Sequence, residues 1–434
     1  MNSKGYKTSS NVMIEGDDKE PDMLYYNINI INNNANNPSI GADPPIKFNE
    51  TRSTPLIDDI SKYNFSIIRF NMNGAGLNLP LFIPQIDTTQ SNINQTVYSL
   101  GFFLTKTFTG TAGATFTFTG YQSEIIEWVT QVTAYLSTPP LAVPLPNAPN
   151  AGDGQDLRSY YYYCYTYDHW VNLMNNTFNL AFAGLQTQFN TFYTANGGTS
   201  GNTFTTKPPF IKYDPDSEKF SIYYDITGNW VDGATPTGPN YEQFTLYFNQ
   251  NLEGLFGGAF PNNDVGDVPS GQPFELLVRN NLGTNIYTPP TASGVTGDYW
   301  VMTQEYASTS NLWSPVDAIV FSSALMPVIP EAVGDPIFLG NSNNTGQLSN
   351  SSNFQPIITD IALDLINASD YRQFISYLPT AEYRMSAMTT SKTSLNNIDV
   401  SVFWRNRLDN NLYPLTLYNL SSVSLKMLFR KRNV

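Results

Sequence analysis

The sequence predicts an all-β protein, a jelly-roll sandwich with a long N-terminal arm and one inserted helical region. Short segments of alternating apolar and polar residues recur from Met23 to the end of the chain, separated by loops rich in Asn, Pro and Gly. Only one stretch carries a helical period. Side chains that alternate between two faces bury one face per strand, and many such strands with little helix point to a sandwich rather than a layered α/β domain.

The elements follow in order. Residues 1–22 are polar and mixed in charge, which predicts a flexible arm or one ordered only by a partner. LYYNINII (24–31), Asn64 to Met72 and Leu79 to Ile86 read as strands, followed by Tyr98 to Thr105 and Ala114 to Thr119. Together they make 23–138 a jelly-roll region. Residues 139–156 form a Pro/Gly/Asn-rich connector. Trp170, Met174, Phe178, Ala181, Leu185, Phe189 and Phe192 then recur at spacings of four and three, which predicts a helix. Asp168 is its expected N-cap and Gly197 and Gly198 its stop, so that 139–200 is read as the insertion.

Strands resume over 201–434 and complete the domain. Asp214-Pro215-Asp216-Ser217 is a turn between two alternating segments, the mark of a hairpin. Tyr241 to Phe248, Phe274 to Val278, Tyr299 to Gln304, Ala318 to Ser323 and Ile357 to Leu365 follow. In the closing stretch Ile398, Val400, Val402 and Trp404 share one face, and Val423, Leu425, Met427 and Phe429 share another.

Composition narrows function. The 434-residue chain has 13% charged residues, against about 25% in an ordinary globular protein, with 14% aromatic, which suits a surface largely covered by neighbours. A net charge of -14 opposes broad attraction to nucleic acid. The single Cys164 allows no internal disulfide, and no apolar run of about 18 residues suggests a membrane span. Synthesis in the cytosol is the expectation, with sequons such as Asn49 and Asn367 unmodified.

No catalytic constellation stands out, and no cofactor is expected. His169 is the only histidine, so a multi-histidine metal site is impossible; it reads as a capping residue, although Cys164 five positions away leaves a Cys/His site formally open. LEGLFGGAF (252–260) lacks the Lys-Ser/Thr ending of a phosphate loop. Asp58/Asp59, Asp214/Asp216 and Glu253 are candidate carboxylates for a glycosidase, and turn chemistry explains the second pair better. The run Tyr160 to Tyr167 could stack bases or sugars, but an interface or packing role suits tyrosine as well.

Several segments together resemble a viral coat-protein family. They are FNETRSTPLIDDISKYNFSIIRF, YYYCYTYDHWVNLMNNTFNLAFAGL, PPFIKYDPDSEKFSIY, SPVDAIVFSSALMPVIPE, PIITDIAL, LPTAEYRMSAM and IDVSVFWRNRLDNNLYPLTL, which span most of residues 24 to 430. The family comprises the penton-type or minor capsid proteins of polinton-like viruses, virophages and adintoviruses, in the adenovirus-like lineage. The resemblance implies a non-enzymatic shell subunit of an icosahedral virion. It would form homo-oligomers, a pentamer at the five-fold vertex being favoured over a trimer, and would contact neighbouring capsid proteins. The alternative is a double jelly-roll major capsid protein, which is trimeric; a carbohydrate-binding protein or a glycosidase is the further one.

The acidic chain nevertheless ends its β-pattern on Arg430, Lys431 and Arg432. These are the candidate residues for contact with the genome or an acidic internal protein, provided that this end faces inward. The plainer expectation is that they solvate the terminus and guard an edge strand.

Overall fold

The structure is a computed structural model. It describes residues 21–32, 44–73, 79–110, 113–136, 145–148, 154–198, 204, 206–227, 242–264, 271–278, 288, 297–307, 313–329, 356–362, 374–378, 385–417 and 420–432. Residues 1–20 of the expected arm, Asn367 and parts of the 139–156 connector lie outside them. The chain divides into two compact units, Met1–Pro80 with Pro315–Val434, and Leu81–Ser314.

The strands up to the first boundary are Met23–Ile31 (β1), Lys47–Thr51 (β2) and Tyr63–Asn73 (β3). Residues 81–314 supply Gln95–Thr109 (β4), Thr115–Glu127 (β5), the short helix Thr133–Leu136 (α1) and the long helix Tyr167–Ala195 (α2). They continue with Phe210–Asp214 (β6), Lys219–Asp225 (β7), Glu242–Phe248 (β8), Gln250–Leu255 (α3), Asn262–Asp264 (β9), Phe274–Leu276 (β10) and Tyr299–Thr303 (β11). The chain then gives Val316–Ser322 (β12), Ile357–Ala362 (β13), Phe374–Tyr377 (β14), Ser386–Ala387 (β15), Asn397–Asn406 (β16), Leu412–Pro414 (β17) and Ser422–Lys431 (β18).

The first unit is the jelly roll. One antiparallel sheet has the order β1-β18-β3-β14, with β15 also on β3; the other has β13-β12-β16, with β2 and β17 both pairing β16. Taking β1, β2, β3, β12, β13, β14, β16 and β18 as the eight strands, the first, eighth, third and sixth make one sheet and the second, seventh, fourth and fifth the other, as two Greek keys require. Phe70 of β3 meets Phe321 of β12 edge to face at 5.1 Å, so the inner faces of the two sheets share one core. Val423, Leu425, Met427 and Phe429 are all buried, as their alternation predicts. Because β18 lies between β1 and β3, however, its basic end does not guard an edge.

The second unit, carried between the third and fourth jelly-roll strands, has sheets β5-β4-β8-β10-β9 and β11-β7-β6. Helix α2 packs against β4, β5 and β6. Its apolar stripe meets a row of rings: Phe178 and Phe182 lie 6.0 and 5.7 Å from Phe102, and Phe189 lies 5.4 Å from Phe118. Asn175 on the helix gives its amide nitrogen to the Ile211 carbonyl (3.1 Å) and takes the Ile211 N–H (2.8 Å), closing part of the β6 edge.

Two local expectations need correction. The N-cap of α2 is Thr166, whose hydroxyl accepts the His169 N–H at 3.3 Å, and Asp168 lies in the first turn. Thr166 is extended and its hydroxyl is also held by Gln131 at 2.8 Å, which sets the start two residues earlier. At the other end Gly197 adopts φ +82° and the Gly198 N–H returns to the Tyr193 carbonyl, so the predicted stop holds. Leu79 to Ile86 is not a strand: Pro80 and Pro84 remove ladder donors, and only isolated bridges form, at Phe82 to Cys164 and Ile86 to Thr96. The segment's strand-like apolar residues are buried nonetheless.

Candidate functional site

One end of the jelly roll gathers the candidate residues. β1 starts there, with Met23 opposite Arg430, and β3 starts there, with Tyr63 opposite Lys431. The Lys431 N–H donates to the Asp22 carbonyl at 2.8 Å, and the Tyr63 hydroxyl donates to the Pro21 carbonyl at 2.6 Å. The chain's entry into β1 is thus tied to its exit from β18.

The three basic residues differ. Arg430 is exposed, and Lys431 is half-buried. Arg432 is turned inward: its Nε donates to Asn64 Oδ1 (3.0 Å) and the Tyr63 carbonyl (3.3 Å), and a terminal nitrogen donates to the Met388 carbonyl (2.8 Å). This guanidinium fastens β18 to β3 and to the loop after β15. A buried hydrogen bond to a charged group contributes about 1.5–3 kcal/mol net, and less per bond where the side chain, like that of Arg432, is only half-buried. Arg432→Ala should therefore lower the unfolding free energy by about 2 kcal/mol and Arg430→Ala by no more than about 0.5, read as denaturant midpoints of the two variants.

Beside this clasp, the turn after β12 closes over a carboxylate. Asp399 of β16 is buried and accepts the Ser323 hydroxyl and the N–H groups of Ala324 (2.8 Å), Leu325 (3.0 Å) and Met326 (3.1 Å). The turn then reaches β15, where the Ile329 N–H meets the Ala387 carbonyl at 2.8 Å. Leu325 and Ile329 are 50% and 51% exposed there, and Met385 is 38% exposed. The loop after β12 and the start of β15 therefore present apolar side chains to the surface.

The second unit holds its own buried charges. Lys106 of β4 and Glu242 of β8 form an ion pair with side chains almost excluded from water. The Thr206 hydroxyl donates to the second Glu242 oxygen at 3.1 Å, and the Lys106 ammonium lies 4.6 Å above the Phe189 ring. Glu253 of α3 is also buried; Asn262 donates to one of its oxygens at 2.5 Å, and the other has no hydrogen-bond partner among the described residues.

A family model described as Sputnik minor capsid protein V18/19 matches residues 24–431. The chain belongs to the V18/19 minor capsid protein family. Among relatives, the uncharacterized protein V18 of Sputnik virophage is 29% identical over 167 residues, 38% of this chain and 86% of the relative. A chain of the Sputnik virophage structure is similar at TM-score 0.68 and 25% identity, covering 95% of this chain and 98% of that one. The mavirus penton protein shares the fold, at TM-score 0.54 and 17% identity over 94% of this chain and all of that one.

For a V18/19 protein, the carboxylates and ring-rich segments have structural work to do. Asp59 caps a turn of 3₁₀ helix by accepting the Ser61 N–H and hydroxyl, which holds its carboxyl below the ordinary range. Asp214 accepts from the Asp216 N–H and the Ser217 hydroxyl in the predicted hairpin turn. His169 Nε2 donates to the Val129 carbonyl at 2.6 Å, and burial lowers its pKa. Cys164 is fully buried, with its thiol on the Thr166 carbonyl, and is no exposed nucleophile. Tyr161, Tyr162, Tyr163, Tyr165 and Tyr167 are buried, and Tyr306 is the only exposed aromatic among the described residues. No cluster of three metal-binding side chains occurs among the described residues, and no described helix is long and apolar enough to cross a membrane.

Glu253 gives the second unit a pH signature. Burial pushes its carboxyl up to about 7, from an ordinary value near 4.5. A raised folded pKa means stability that is full below pH 4.5 and is lost as pH rises through 7. Glu253→Gln should therefore be more stable than the unsubstituted chain at pH 8, on the order of 2 kcal/mol after allowance for solvent screening, and no more stable at pH 4.5. Thermal melts of both proteins across that range check it.

Proposed function

We propose that this V18/19 protein is the penton-type subunit of its virion: a non-enzymatic protein, made in the host cytoplasm, that forms pentamers at the five-fold vertices and is held by neighbouring capsid proteins. The observation that carries the reading is the single jelly roll. A double jelly-roll capsid protein would need a second sandwich in residues 81–314, and those residues instead lay a 29-residue helix against their sheets. The fold held in common with the mavirus penton protein agrees with this choice. Sparse charge suits a subunit whose surface is largely covered by neighbours. Averaged images of purified particles should show five-fold rotational symmetry; three-fold classes would favour the trimeric major capsid protein.

The basic end belongs to the same reading. Exposed Arg430 and half-buried Lys431 would meet the genome or an acidic internal protein if this end points inward, whereas the Arg432 guanidinium also holds the fold. Deleting 430–434 would remove both roles together. Arg430→Gln with Lys431→Gln separates them: capsomers should form normally while genome content falls, and unchanged genome content would reject the contact.

A further inference from the structure

The sheet edge formed by β1 is open, and its geometry names an occupant. Lys431 donates to the Asp22 carbonyl at one end, and at the other the Asn32 N–H donates to Ser421 while its carbonyl accepts from Leu420. The register between runs without a shift, so the even-numbered residues of β1 bond β18. The N–H and C=O groups of Met23, Tyr25, Asn27, Asn29 and Ile31 face the other way, and nothing among the described residues pairs with them. Edges this long are ordinarily blunted by a lysine, a proline or a bulge, and β1 has none of these. Asn27, Asn29 and Ile31 also leave their side chains exposed.

We propose that residues 9–14 of a second copy, Ser-Ser-Asn-Val-Met-Ile, add to this edge as an antiparallel strand. The segment carries no charge, and it has in Val12, Met13 and Ile14 the apolar side chains that a strand added to a sheet edge can bury. Charge fixes the direction. An antiparallel strand finishes at the Met23 end, which brings Glu15, Asp17, Asp18 and Glu20 of the incoming chain to the end where Arg430 is exposed. A parallel strand would carry those carboxylates away from it. Pairing of this edge with residues 9–14 of the same chain is the competing outcome, and the single-chain measurement below reads it directly.

This proposal rests on the reading that the chain self-assembles, and the test separates the two. Hydrogen exchange of the assembled full-length protein should show protection at alternate amides, those of Met23, Tyr25, Asn27, Asn29 and Ile31, that is absent after dilution to single chains. Asn27→Pro removes an outward donor without touching the β18 ladder, and Met13→Asp alters only the incoming segment. Each should weaken assembly by at least about tenfold. Assembly at full strength in both variants, or protection of the same amides in single chains, overturns the added strand and leaves self-assembly standing. An unsubstituted chain that never assembles overturns both.

Discussion

Replacing Asp399 by alanine should cost the jelly roll about 4 kcal/mol. The buried carboxylate gathers one hydroxyl and three backbone N–H groups of the turn after β12, and its loss leaves those donors without their acceptor, the Ser323 hydroxyl and Met326 N–H in buried positions and the Ala324 and Leu325 N–H groups in partly buried ones. Each stranded buried donor costs roughly 1–3 kcal/mol, less whatever the turn recovers by opening to solvent. Asp399→Asn should cost less, about 2 kcal/mol, because its amide oxygen can keep some of the donors while its NH2 group faces the others. Urea denaturation monitored by a probe in the jelly roll reads both; a loss below about 1 kcal/mol for the alanine variant would mean that the turn is held by other contacts. The two units need not unfold together, so the transition must be assigned to the unit that carries the substitution.

The second large effect falls in the other unit. Lys106→Met should destabilise it by about 3–5 kcal/mol, because Glu242 would remain buried with its cation gone. The double variant Lys106→Met, Glu242→Leu should recover most of that loss, since a well-packed apolar pair replaces two desolvated charges. Thr206 limits the recovery, as its hydroxyl loses its acceptor. A double variant no more stable than Lys106→Met would show that the pair contributes more than its own neutralisation.

The contrast between these sites and the elements around them shows what the sequence makes legible. Helix α2 announces itself because Trp170, Met174, Phe178, Leu185 and Phe189 repeat with its period, and all of them are buried. β18 does so because Val423, Leu425, Met427 and Phe429 alternate. β14, β15 and β17 are two to four residues long, too short for either period to register. The unit boundaries at Pro80/Leu81 and Ser314/Pro315 coincide with no shift in composition, and the apolar run across the first resembles a strand.

Site chemistry is less legible for a different reason. Asp399 finds its partners in backbone amides some 75 positions away, and Lys106 finds Glu242 at a separation of 136, so no local motif marks either. Arg432 looks like its neighbours in sequence, yet its guanidinium is spent on carbonyls of other segments. The resemblance of scattered segments to capsid proteins succeeded where motif reasoning could not, because those segments are the strands and turns of the fold itself, and the family match runs through nearly all of them.

The vertex reading meets its most direct test in the mass of the purified full-length protein, measured by light scattering across a concentration series. The account predicts a closed species of five chains, each of 48.4 kDa. A stable species of three chains would contradict it and point to the trimeric capsid alternative.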